Sequence, residues 1–380
     1  MRSRMLPKYY LSQEIFEREQ KKIFRRVWLF AGLKMMVARH NAFITRKVAG
    51  IPIVIQNFHG ELHAFENVCL HRNALIQSEP AGVRPLVCGY HAWRYNVSGG
   101  VENIPDGDTL YGFSEEERSA MKLREFSLKV VGNVMFVNVA DEPMPFEEQF
   151  SAEFIDLLES SADSYDTEVM VTTWHGKFNW KLAYENLRDP NHPRFVHSGS
   201  LAKLVSFAPE VHEAQAGEAC EPIVDTTRAG LRREMHRFSS AGADAPMPNI
   251  KAFSWRKKVE RWRDQDVYYN WLAFPNFHIA SAGGYAFGLE NHIPVAPDRT
   301  DLELYWVTAK KKSAYDTSTQ VLLGQMHGSK RVVGEDIAIM EQVQAALHND
   351  APLANQGAYE FMNRLVDRWY VTLMESDHEI

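Results

Sequence analysis

Two short loops carry thiols and imidazoles in matched pairs. The first is Cys69-Leu70-His71 and the second is Cys88-Gly89-Tyr90-His91, with sixteen residues between His71 and Cys88. Each loop brings one thiol and one imidazole to the same turn, so the two loops can close on a metal from opposite sides. Two chemistries use this donor set. Two thiolates on one iron and two imidazoles on the other hold a [2Fe–2S] cluster of mixed ligation, with a potential of about −150 to +300 mV. The same four side chains can also hold a structural zinc ion. Taken singly, a buried cysteine or a satisfied core histidine is commonplace. The remaining thiol, Cys220, is distant in sequence, and three cysteines cannot build a disulfide framework.

A second constellation lies further on, where His192 and His197 follow Asn186, Asp189 and Pro190, with Pro193 between the two histidines. Two imidazoles and one carboxylate on one face of Fe(II) leave the opposite face open for oxygen and substrate. A spacing of five residues turns the second side chain about 140° from the first in a regular helix. Pro190 and Pro193 break the helix there, so the histidines can converge from irregular backbone. The plainer alternative is a pair of surface imidazoles past a helix end, where they favour the dipole. A third ligand must come from elsewhere. Glu335, Asp336 and Glu341 open a helical pattern, although acids favour a helix N-terminus for its own sake. Asp189 precedes His192 by three positions. Its carboxylate can accept hydrogen bonds on both oxygens, and so can orient a metal-bound imidazole on one side and a second imidazole on the other. Capping of local amides is its simpler role.

The elements that must position these groups fall into two kinds. Ser12 to Leu33 has helical spacing. Short β-rich segments follow at Ala42–Val48, Ile51–Gln56, Leu62–Val68, Leu86–Cys88, Trp93–Asn96 and Val130–Val139, with a turn at Ser98-Gly99-Gly100. Helical patterns are expected near Phe146–Ser161 and Asn179–Asp189, with a β-rich Glu168–His175 between them. Leu201 to Trp262 shows no clear period. Strands resume at Val267–Phe274, Phe277–Ala280, Phe287–Ile293 and Leu302–Ala309, before helical patterns at Ser318–His327, Ile337–Leu347 and Gly357–Leu373.

The 380 residues are enough for two domains, and their composition, 45% hydrophobic and 24% charged, is that of an ordinary globular protein. A net charge of −7 gives no reason to expect nucleic acid, and no apolar run approaches the roughly 20 residues that span a bilayer. The start, MRSRMLPKYY, has no apolar signal core, so a cytoplasmic protein without a membrane partner is expected. Trp174, Phe178, Phe195, Phe277 and Phe287 could line a cavity, but core packing explains aromatics more often. Arg228, Arg232, Arg233, Arg237, Arg256 and Lys257 are expected to form a solvated surface.

The string Cys69-Leu70-His71-Arg72, followed by Cys88-Gly89-Tyr90-His91-Ala92-Trp93-Arg94-Tyr95, resembles the Rieske signature of ring-hydroxylating oxygenase α subunits. Asn179 to His197 is similar to the same family's iron-binding stretch, including its Asp-x2-His-x4-His core. The family usually has Gly two residues after the first His, Pro after the second Cys and Gly after the second His. Asn73, Gly89 and Ala92 stand there instead.

The resemblance implies that Cys69, His71, Cys88 and His91 hold a [2Fe–2S] Rieske cluster. His192 and His197 would hold a mononuclear Fe(II). The family places its carboxylate ligand five residues before the Glu of a Glu-x2-Gln motif. With Glu341 and Gln344 as that motif the ligand is Asp336, and Glu335 is its competitor. Asn186 would be a polar catalytic group near the iron. Asp189 would bridge His192 to His91 of a neighbouring subunit, which implies a ring, usually a homotrimer. The implied fold is α+β, with an all-β Rieske domain inserted near the N-terminus of a larger helix-grip, START-like catalytic domain built on an antiparallel sheet. Residues 1–37 form the N-terminal helical part of the catalytic domain, 38–145 the Rieske domain and 146–380 the catalytic iron domain. The implied function is that of a terminal oxygenase using O2 and electrons from NAD(P)H through a reductase or ferredoxin, with a β subunit as a further partner. Ring dioxygenation of a small aromatic, in aromatic compound catabolism, is the leading reading. Monooxygenation, or O- or N-demethylation of a small aromatic or methylated substrate, is its alternative. A Rieske electron carrier without chemistry would leave roughly 280 residues and their histidines unexplained.

Overall fold

Alternating apolar residues between about 40 and 140 need a sheet with one covered face, and that is what they form. In the computed structural model, which describes residues 2–211, 213–248, 253–314, 317–349 and 351–380, the chain divides into two units. Arg25–Pro143 forms one, and Met1–Phe24 with Met144–Ile380 forms the other. The smaller unit is therefore an insertion in the larger.

The small unit is a seven-stranded antiparallel sheet. Its order is Leu29–Leu33, Val134–Asn138, Glu125–Val131, Glu61–Glu66, Ile51–Phe58, Ala42–Val48 and Ala81–Val83, and a two-stranded ribbon of Arg94–Tyr95 and Val101–Asn103 lies apart from it. Phe43, Val54, Phe65, Ile76, Leu86, Trp93 and Tyr95 make one buried cluster, and Cys69 and Cys88 belong to it. Each large apolar side chain so buried contributes about 1.5–3 kcal/mol, enough to hold the two thiol loops in fixed places.

The large unit is built on a six-stranded antiparallel sheet, ordered Tyr165–Gly176, Arg299–Ala309, Ala286–Ala296, Phe277–Ala282, Val267–Ala273 and Ser240–Pro246. The Thr319–Leu347 helix packs on it through Leu322 and Val333 against Leu302, Leu304 and Trp306. The Trp180–Leu187 helix starts at Asn179, whose side chain accepts from the Lys181 N–H. That helix is pinned by the buried Glu19 carboxylate, which accepts from the Trp180 indole at 2.9 Å and pairs with Lys181.

Three expectations about elements are corrected. The helix expected over Ser12–Leu33 covers Gln13–Glu19 and ends in a π-helical turn, Gln20–Phe24; Leu29–Leu33 is a strand. Its five residues are all buried, as are those of its partner Val134–Asn138, and an apolar run buried on both faces has no period to read. Between 201 and 262, Arg228–Ser239 is a twelve-residue helix and Ser240–Pro246 an edge strand. Leu231, Met235 and Phe238 form that helix's buried stripe, which the surrounding arginines obscure in sequence. The two helical patterns near 318–347 are one 29-residue helix, interrupted in the sequence pattern by Gly324, Gly328 and Gly334.

Candidate metal centres

The two thiol loops have the same backbone. The Cys69 N–H donates to the Ala74 carbonyl and the Cys88 N–H to the Trp93 carbonyl, at 2.8 and 2.9 Å; the Asn73 and Ala92 N–H groups return to the Cys69 and Cys88 carbonyls. Each loop closes through a left-handed residue, Asn73 at φ 58° and Ala92 at φ 56°. These are two of the positions where the resembling family carries glycine, and the geometry explains why: only glycine adopts that conformation without strain. Asn tolerates it, and Ala adopts it only with strain.

Cys69 and Cys88 are each 2% exposed. Burial pushes the Cys69 thiol up, against the Tyr95 hydroxyl, which donates to its sulfur at 3.2 Å. The same hydroxyl accepts from the Leu70 N–H at 3.0 Å, so the sulfur faces a fixed donor. His71 and His91 meet edge to face with ring centroids 4.5 Å apart, and His71 stacks on Trp93 at 5.0 Å. The His91 Nδ1 atom is buried without a hydrogen-bond partner. An orphaned imidazole nitrogen beside a second imidazole and two buried thiols suits a metal cluster. Sequence reading did not single out Tyr95 or Trp93 for these roles.

The second centre forms where the Trp180–Leu187 helix ends. A new turn, Pro193–Val196, begins with Pro193 at its first position, so His192 and His197 flank one helical turn and their rings meet edge to face with centroids 5.3 Å apart. The Thr319–Leu347 helix brings Asp336 to them. Asp336 Oδ1 stands 3.5 Å from His192 Nε2 and 3.1 Å from His197 Nε2, and accepts from Asn186 Nδ2 at 2.9 Å. Among the described residues this is the group of three whose donor atoms crowd within 4.8 Å. Burial would raise the Asp336 carboxyl, but the two imidazoles hold it below the usual carboxylate range.

The other nitrogen of each ring is occupied. His192 Nδ1 meets the Asp189 carbonyl at 2.8 Å. His197 Nδ1 meets Glu335 Oε2 at 2.9 Å, and that carboxylate is braced by Ser200 and Arg331. Burial opposes charge on His197, but Asp336 and Glu335 together raise its pKa. Glu335 and Asp336 are adjacent, so they point about 100° apart on the helix and hold His197 from opposite sides of its ring. Glu335 is thereby an orienting group, and the three-atom cluster contains Asp336.

Glu341 and Gln344 fix this helix against the histidine-bearing segment. Glu341 Oε1 accepts from the Lys177 N–H at 3.0 Å, and Gln344 Oε1 from the Asn179 N–H at 2.9 Å. Asp189 differs from expectation. Its carboxylate does not touch the His192 ring; Oδ1 accepts from the amides of Asn191 and His192, at 2.8 and 3.3 Å, and the ring takes the main-chain carbonyl instead.

Of the five aromatics considered for a cavity, Phe178, Phe277 and Phe287 are core, Phe195 is 68% exposed, and Trp174 packs beside Leu302 and Leu304. The arginines at 232, 233 and 237 pair with Glu148, Asp225, Glu218 and Glu234. Among the described residues no helix is long and apolar enough to cross a membrane.

Comparison with known proteins matches both parts of the chain to known families. Residues 155–376 match the family model of the ring hydroxylating alpha subunit (catalytic domain), and residues 27–114 match the Rieske [2Fe-2S] domain, which sets the zinc reading aside. The chain is 31% identical over 243 residues to the glycine betaine monooxygenase oxygenase subunit of Pseudomonas aeruginosa (strain UCBPP-PA14), covering 61% of this chain and 53% of that one. It is 27% identical over 219 residues to the anthranilate 1,2-dioxygenase large subunit of Acinetobacter baylyi (strain ATCC 33305 / BD413 / ADP1), covering 55% and 45%. A solved quaternary ammonium Rieske monooxygenase superposes with a TM-score of 0.74 at 18% identity, over 96% of this chain and 95% of that one. The chain spans about half the length of the curated relatives it matches.

Proposed function

Because the chain belongs to the ring-hydroxylating oxygenase α-subunit family, we propose that it is a terminal oxygenase that places one oxygen atom of O2 on an alkyl carbon of a small quaternary ammonium compound. Carbon hydroxylated next to nitrogen gives a carbinolamine, which collapses to an aldehyde and the dealkylated amine. The overall balance is O2, two electrons and two protons in, with the second oxygen leaving as water. The observation that carries this reading is the convergence of His192, His197 and Asp336, in a chain that is 31% identical to a glycine betaine monooxygenase subunit. Aromatic ring dioxygenation, the leading expectation from sequence, is the second reading, and the dioxygenase relative keeps it in play.

In this reading His192, His197 and Asp336 would hold an iron that would supply oxygen activation, and Cys69, Cys88, His71 and His91 would hold a [2Fe–2S] cluster that would supply electrons drawn from NAD(P)H through a reductase or ferredoxin. The protein's own part is orientation. Glu335 and the Asp189 carbonyl fix the two imidazoles by their outer nitrogens, so both Nε2 atoms are presented to one point. Asn186 holds Asp336 Oδ1 in place. The Asp189 carboxylate, held rigid by two amides, keeps lone pairs for the His91 imidazole of a neighbouring subunit in a ring of three.

Iron and sulfide analysis, EPR of the reduced protein, and a substrate screen in labelled oxygen test the reading. The expected outcome is label in one product position, with aldehyde and a dealkylated amine. A cis-dihydrodiol from an aromatic substrate, with no turnover of quaternary ammonium compounds, would sink it in favour of the second reading.

A further inference from the structure

The sheet of the large unit carries a buried ionic cluster on the face turned toward the Asp336 helix. Cross-strand pairing sets His278 opposite Glu290, Glu290 opposite Leu304, and His292 opposite Leu302, while Leu272 pairs with His278 and Asn270 with Ala280. Side chains alternate along a strand, so Tyr268, Asn270, His278, Glu290 and His292 share one face with Leu302 and Leu304. Those leucines pack against Leu322, Val333 and Ile337 of the Thr319–Leu347 helix. A charged group on such a face is costly unless it is paired. Glu290 Oε2 lies 3.1 Å from His278 Nδ1 and 3.2 Å from His292 Nε2, and His278 Nε2 meets Asn270 Oδ1 at 2.5 Å.

The packed face connects this cluster to the metal centre, because Ile337, which packs on it, follows Asp336 in the Thr319–Leu347 helix. The Tyr268 phenol is pushed up by burial and then by the carboxylates of both Glu290 and Asp336, so it lies in the field of both. The Glu290 side chain also retains 15% of its exposure, as do His192 at 15% and Asp336 at 17%, while His278 keeps 4%. The carboxylate is thus the reachable member of its cluster. Burial alone would neutralise it, but the two imidazoles hold its pKa far below the usual range.

Resting on the oxygenase reading above, we propose that Glu290 is the specificity-determining residue that recognises the fixed positive charge of a quaternary ammonium substrate, with His278 and His292 as its positioning residues. A quaternary nitrogen has no N–H to donate, so a protein can select it only by charge and shape. An ionised carboxylate within a dry sheet face supplies that charge, since Coulombic attraction strengthens as the effective dielectric falls. His278 and His292 keep the carboxylate ionised and hold it in place by their ring nitrogens. An uncharged aromatic would gain nothing from Glu290 and would have to strip it of water.

Calorimetric titration of the metal-loaded protein with matched ligands tests this. Glycine betaine and a longer trimethylammonium carboxylate are each compared with the tert-butyl isostere, in which carbon replaces nitrogen. The wild type is expected to bind each cation at least about tenfold more tightly than its isostere. Glu290→Gln is expected to abolish that preference with isostere affinity and cluster EPR unchanged, and Glu290→Asp to keep part of it. If Glu290→Gln retains the preference, or weakens cation and isostere equally, the assignment of Glu290 is overturned while the substrate reading stands. If the wild type does not discriminate cation from isostere, both are overturned.

Discussion

Asp336 Oδ1 accepts from the Asn186 amide and lies close to the Nε2 atoms of both His192 and His197, an arrangement that a cation would organise into a ligand set. Asp336→Ala is expected to lower iron by one per chain, with acid-labile sulfide and the reduced-cluster EPR signal unchanged; loss of both iron pools together would contradict separate centres. Strain is local at Ala92, whose φ of 56° places its Cβ where left-handed backbone crowds it. Ala92→Gly is expected to stabilise the small unit by about 1 kcal/mol, read as a higher denaturation midpoint. Asn73 needs no such relief, because Asn visits this region readily.

At the scale of elements, the Thr319–Leu347 helix is the device that completes the site. It is long and rich in glycine, yet Glu341 and Gln344 clamp it to the 177–179 turn, and Asp336 stands one to two turns before that clamp. Gly328 lies within it, and a Cβ there would meet nothing within 4 Å. Gly328→Ala is therefore expected to raise stability by about 0.5–1 kcal/mol without changing iron content; a measured loss would show that the helix must bend there. The clamp was legible in sequence as a Glu-x2-Gln motif, but its partners were not, because they are backbone amides 164 and 165 residues away.

At the scale of the whole molecule, the large unit is tied together from distant parts of the chain by buried acids. Tyr10 donates to Glu185 Oε1 at 2.5 Å, and Ser3 and Gln356 donate to Asp367 Oδ2 at 2.9 Å. Burial, with Asp367 adding to it, pushes Glu185 up to about 8, and burial pushes Asp367 up to about 6. An acid whose folded pKa exceeds its unfolded value binds its proton more tightly when folded. Its stabilising effect is full below the unfolded value and is lost as pH rises through the folded one. Thermal unfolding midpoints are expected to fall between about pH 5 and 8, and Glu185→Gln to flatten that slope; an unchanged slope would relieve Glu185 of this role. The assembly has its own test. Asp189→Asn keeps an oxygen for the amides of Asn191 and His192, so both metals should stay bound, while rapid mixing should show slowed electron transfer from cluster to iron. Transfer at the wild-type rate would remove Asp189 from the path.

The candidate donor sets were legible in the sequence, because Cys69, His71, Cys88 and His91, and then His192 and His197, are chemically rare side chains at short spacing. The sequence also determined the α+β architecture with an inserted β unit, since strand and helix periods are local signals. Tertiary structure alone decided the rest. It separated Asp336 from Glu335, which differ in sequence by one position and in space by the side of His197 they reach. It gave the His192 ring to the Asp189 carbonyl and the carboxylate to the amides. And it assembled His278, Glu290 and His292 from two strands into one cluster facing the Asp336 helix, because cross-strand register depends on how a whole sheet pairs and leaves no trace in spacing along the chain.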